Sequence, residues 1–158
     1  MKIHSFLCGA VAALMLTACA MSGAQPGHSK VCPGNSCDVE VQVTMVGGTP
    51  RVVVDFDEIR FPRGNQNATV TWKLKDSPQW QFKETSIAPH TGAPSGGKET
   101  TSANEWRSQI TFRNSSAVNY TVQNANNKAT RLSYNITVFR KTDDVPVTLD
   151  PVIINDGG

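Results

Sequence analysis

The chain has 158 residues, a formal charge of +2 and 39% apolar residues, enough for one domain with one core and too little for two. Its 15 Lys and Arg and 13 Asp and Glu are interspersed, with no basic run long enough to track a phosphate backbone, so nucleic acid is not expected as a partner. A remainder of this size buries enough surface to fold without metal or cofactor, and neither is expected.

Met1-Lys2-Ile3-His4 carries one positive charge, and the apolar stretch from Phe6 to Leu16 follows. That run is too short to span a bilayer and has the length of a secretory signal's apolar region. Leu16-Thr17-Ala18-Cys19 resembles a bacterial lipobox: an apolar residue, two small residues and the cysteine that lipoprotein-processing enzymes read. The resemblance implies a signal peptide over 1–18, a mature chain beginning at a lipidated Cys19, and membrane attachment through that lipid. Ala20, a neutral residue, is similar to the outer-membrane default, with the domain facing the periplasm. Ala18-Cys19-Ala20 also satisfies the small-x-small rule of ordinary secretion, and both readings give export. Of the four cysteines, Cys8 then leaves with the signal and Cys19 carries lipid, which leaves Cys32 and Cys37 as one pair. Pro33-Gly34-Asn35-Ser36 between them is turn chemistry, and an oxidising compartment favours a disulfide there. The spacing is neither the C-x-x-C of thioredoxins nor that of a zinc knuckle, and only His28 is near.

Residues 19–31 read as a flexible tether, because Met21 to Lys30 are small or polar with no periodicity. As a coil, the segment from Cys19 to Cys32 spans roughly 20 Å. The domain is expected over 32–158. Val39, Val41, Val43 and Met45 alternate with Glu40, Gln42 and Thr44 as a half-buried strand. Gly47-Gly48 ends it, and Val52, Val54 and Phe56 continue beyond Thr49-Pro50. Val70, Trp72 and Leu74 alternate with Thr71, Lys73 and Lys75, with a further short strand around Trp80 and Phe82. Three more strands follow: Trp106, Ser108, Ile110 and Phe112 face one way, as do Val118, Tyr120 and Val122, and then Leu132, Tyr134, Ile136 and Val138. Val147 to Ile154 is interrupted by Pro151 and belongs on an edge or beside a bend. About seven or eight short strands with turns between them predict an all-β Greek-key sandwich, immunoglobulin-like or cupredoxin-like.

Phe61-Pro62-Arg63-Gly64 before Thr69-Val70-Thr71-Trp72 resembles the early strands of cupredoxins, which implies fold alone. A blue-copper site needs two His, a Cys and a weak axial Met, and Tyr120 to Tyr134 holds none of these. Ser133-Tyr134-Asn135-Ile136-Thr137-Val138 and Leu149-Asp150-Pro151-Val152-Ile153-Ile154-Asn155 resemble small exported β-sandwich proteins of proteobacteria, a group with no activity to transfer.

Candidates for chemistry are few. His90 between Pro89 and Thr91 reads as an exposed loop histidine, with no orienting carboxylate or nucleophile in sequence reach. Asp55, Asp57 and Glu58 lack the glycine-punctuated loop of calcium sites and read as a solvated face. The segment from Ala88 to Asn104 exceeds ordinary loop length, and such loops on sandwiches carry binding. His90, Lys98 and Glu99 are therefore the candidate binding-loop residues, with no catalytic or metal residue assigned. The expected role is a non-enzymatic binding or structural module of the envelope with a protein or glycan partner. The alternatives are an inhibitor or immunity-type lipoprotein, and an envelope hydrolase using His90 with Glu99 or Glu105.

Overall fold

The computed structural model of the chain describes residues 28–92 and 100–157, and these form a sandwich of two mixed β-sheets. In the first, β1 (Ser29–Val31), β4 (Glu58–Phe61), β12 (Val152–Asp156), β10 (Ala129–Arg140) and β11 (Pro146–Leu149) follow one another in that order. The short β6 (Trp80–Gln81) and β7 (Ile87–Pro89) also pair with β10. The second sheet has the order β3 (Thr49–Val54), β2 (Ser36–Val46), β5 (Ala68–Leu74), β9 (Asn119–Asn124) and β8 (Ile110–Ser115). The all-β sandwich expected from the alternation is thus observed. Its described residues form twelve strands, because several ladders of a few residues are too short to leave a periodic trace in the sequence. Three pairings, β1 with β4, β4 with β12 and β2 with β5, are parallel, a feature that period two does not encode.

The core lies between the sheets where alternation points it. Val39, Val41, Val70, Trp72, Leu132, Tyr134, Ile136 and Val138 are all buried. Trp72 sits at the centre, its ring 5.5 Å from Tyr134 and 6.3 Å from Tyr120, and its Nε1–H donates to the Tyr134 hydroxyl at 3.2 Å. On the outer face of the second sheet the same strands place Lys73 on Asp38 and Lys75 on Glu40. These exposed pairs contribute little to stability.

The folded part begins earlier than the predicted tether allows. Ser29–Val31 pairs with β4, so the tether reading stops short of these residues; a parallel backbone ladder needs no side-chain alternation, and polar Ser29 and Lys30 hid it. Residues 1–27, with the predicted signal peptide and Cys19, lie outside the described residues. Cys32 and Cys37 form the expected disulfide, with both residues buried.

The strand expected from Trp106 to Phe112 is only half strand. Ala103–Gln109 is the helix α1, capped by Ser102, whose side chain accepts from the Glu105 N–H at 3.1 Å. Ser102-Ala103-Asn104-Glu105 has the spacing of a capping box, a signal that outweighs the coincidental alternation of Trp106 and Ser108. Trp106 remains a core residue, its ring 5.8 Å from Tyr134. Met45 and Val118 are exposed although their alternation points them inward. At Met45 the reason is geometric: β2 pairs with β5 only from Ser36 to Val41, so its last residues outrun the sheet that would cover them.

Candidate functional site

The chemistry-bearing side chains gather on β10 and the chain that returns to it. β7 pairs with the middle of β10, Tyr134 opposite Pro89 and Ile136 opposite Ile87, and the ladder continues one step further because the His90 N–H donates to the Ser133 carbonyl at 2.9 Å. The chain then leaves the sheet and comes back at Thr101, whose N–H donates to the His90 carbonyl at 2.9 Å. Thr101 is buried, and its hydroxyl oxygen accepts from the Ser133 N–H at 2.7 Å. His90 and Thr101, on either side of the segment 91–100, are therefore both held at Ser133 on one rung of the sheet.

His90 is not the exposed loop residue expected. Its side chain is only 12% exposed, with Nδ1 2.8 Å from the Asn135 Oδ1 and 3.7 Å from an Asp150 carboxylate oxygen. Those partners meet through register: the ladder that pairs Ile136 with Leu149 and Ser133 with Val152 sets Asn135 opposite Asp150. Both neighbouring oxygens accept, so Nδ1 donates towards them. Nε2 is buried without a hydrogen-bond partner among the described residues, close to Gly92. Through Nδ1 the ring ties the start of the segment to β10.

Other sequence candidates are dispersed. Glu105, offered as a carboxylate partner for His90, accepts from the Thr130 hydroxyl at 2.8 Å; the carboxylate beside His90 is Asp150. Lys98 and Glu99 lie outside the described residues. The acidic run is not a solvated face. Asp55 accepts from the Glu40 N–H at 2.9 Å, and partial burial raises its pKa. Asp57 holds one buried oxygen without a hydrogen-bond partner among the described residues, while Glu58 takes the Ser29 hydroxyl and the Arg131 guanidinium. Among the described residues no group of His, Cys, Asp and Glu is arranged to hold a metal ion.

Among the candidates read from the sequence, Asn135, Thr101, Ser133 and Asp150 do not appear. The outward face of the Leu132 to Val138 alternation could have marked Asn135, but its meeting with Asp150 and His90 depends on strand register.

A second polar cluster closes one end of the sandwich. Asn124 and Asn155, both buried, exchange amide hydrogen bonds of 2.7 and 3.0 Å. Asn155 also donates to Gln109 at 3.2 Å, and Gln109 donates to Asn127 at 2.6 Å. Asn126 donates to the Pro62 carbonyl at 2.8 Å and accepts from the Gly157 N–H at 3.1 Å. Asn65 donates to the Cys32 carbonyl at 2.7 Å. These amides satisfy one another and the turns around them, the pattern of a structural network. Comparison of the chain with protein-family models and with curated proteins gives no match.

Proposed function

We propose that the chain is an exported, lipid-anchored binding module of the bacterial envelope, held to the outer membrane through Cys19, which engages an envelope protein or glycan through the segment between His90 and Thr101. The observation that carries this reading is that His90 and Thr101, on either side of that segment, are both held at Ser133 on a single rung, with Asn135 on the His90 ring. A long segment presented from a rigid sheet is the usual way a sandwich binds. The hydrogen bonds that tie His90 to Asn135 and to the Ser133 carbonyl support a positioning role for it in this reading.

The test pairs partner capture with melting. A Lys98→Ala/Glu99→Ala chain should melt with wild type, since surface changes away from caps and buried networks rarely exceed about half a kcal/mol, yet lose capture of partners from envelope extract. Capture equal to wild type removes the segment from the account. Attachment is tested separately: palmitate should label the wild type and not Cys19→Ser, and an unlabelled, freely soluble wild type rejects the anchor.

A further inference from the structure

The β2–β3 hairpin is the part of the molecule that its own packing explains least. Thr44, Met45 and Val46 pair in the sheet only with Arg51, Pro50 and Thr49, since β5 stops at Leu74 opposite Val41 and the last tie on that side is the Ser77 hydroxyl on the Val43 N–H. The ribbon therefore projects beyond its sheet. Its turn, Gly47-Gly48, has φ of 57° and 80°, the paired positive values of a type I′ turn that makes a stiff two-residue hairpin. At the tip Met45 is 65% and Val46 61% exposed, the two most exposed large apolar side chains among the described residues.

Charge is distributed with equal bias. From Val41 to Val54 there is no acidic residue, although the chain has 13. The flanking acids are held at the ribbon's base, Glu40 on Lys75 and Asp55 on the Glu40 N–H. The single charge on the ribbon is Arg51, exposed, opposite Thr44 and with no ion-pair partner among the described residues.

We infer that this hairpin tip inserts Met45 and Val46 into the interface of an anionic phospholipid bilayer, with Arg51 against the headgroup phosphates. Three properties fit that occupant. Exposed apolar side chains on a rigid projection lose water on entering the interface without ordering the chain. The ladder closes on Val46 opposite Thr49 and Pro50 has no N–H, so the tip brings few unpaired donors, and those meet water and headgroups in the interface and not the hydrocarbon. The absence of acids and the placement of one cation match a negative surface. The proposal does not require the lipid anchor; insertion of the tip and attachment through Cys19 are separate contacts.

The experiment reads the depth of the tip. In the full chain, Met45→Trp adds one fluorophore to Trp72, Trp80 and Trp106, which are buried. The chain is mixed with vesicles of phosphatidylethanolamine and phosphatidylglycerol, with or without brominated acyl chains, and the wild-type signal is subtracted. The added emission should shift to the blue and be largely lost to the brominated lipid. Neutral phosphatidylcholine vesicles should give a smaller loss, and adding Arg51→Glu or Val46→Asp should abolish it while melting stays at the Met45→Trp value. Added emission unchanged by vesicles, in a chain that sediments with them, overturns the proposal and leaves the anchor standing. Equal quenching on neutral vesicles, untouched by Arg51→Glu, overturns the assignment to an anionic surface. A concentration-dependent dimer that Val46→Asp dissolves gives the tip to a second copy, and a photo-crosslinker at position 46 that captures protein instead of lipid gives it to a protein; either overturns it.

Discussion

The chain has two tyrosines, and both are buried in the core. Tyr120 donates to the Glu84 carbonyl at 2.8 Å and desolvation pushes its pKa up to about 12; Tyr134, beneath Trp72, is raised further by the same cause. Unfolded tyrosine ionises near 10. The folded state therefore holds protons that the unfolded state has released, so stability is undiminished below about pH 10 and falls as pH rises through the window above it. Tyrosinate absorbance of the native protein should stay flat through pH 10 and rise only at higher pH, together with unfolding. The denatured chain should titrate near 10. A native titration near 10 would place both hydroxyls in water and reject the packing around Trp72. At this scale burial was readable from alternation, and Trp72, Tyr120 and Tyr134 are where period two puts them. His90 was not readable, since its burial depends on Asn135, Asp150 and Gly92, which reach it through register and loop closure.

Among the elements, the strands with strong alternation, β2, β5, β9 and β10, were legible, and so was the break at Pro151, because each answers to a local rule of side-chain period or backbone chemistry. What was not legible depends on neighbours: the direction of β2 against β5, the short β1, β6 and β7, and the exposure of Met45 where β2 outruns its sheet. Helix α1 is a different case, because two local signals compete there. Trp106 to Phe112 alternates, while Ser102 and Glu105 have N-cap spacing, and the structure follows the cap. Removing the cap tests this. Ser102→Ala should cost about 1 kcal/mol, read as a lower urea midpoint with unchanged m. A continuous strand at 103–109 would make the same change neutral.

For the whole molecule, the amide network is what joins elements distant in sequence at one end of the sandwich. Asn124 ends β9, Asn155 lies in β12 and Gln109 ends α1, so the network ties both sheets and the helix at a point where apolar packing stops. Satisfied amides at such a point contribute modestly, but each partner left alone in the interior costs about 1–3 kcal/mol. Asn124→Ala strands the Asn155 oxygen and removes the acceptor for the Asn126 N–H, so it should cost more than about 2 kcal/mol on that scale. Asn155→Ala should be comparable, because it strands Asn124 and Gln109 in turn. Once either is gone, the other has already lost its main partner, and its removal exposes less new damage. The double variant should therefore fall short of the sum of the singles by about 0.5–3 kcal/mol, the coupling expected for residues in one network. Urea unfolding of the four chains measures it. Additive losses would mean that the two amides act alone and that the end of the sandwich is held by the turns at Pro62 and Asn65 instead.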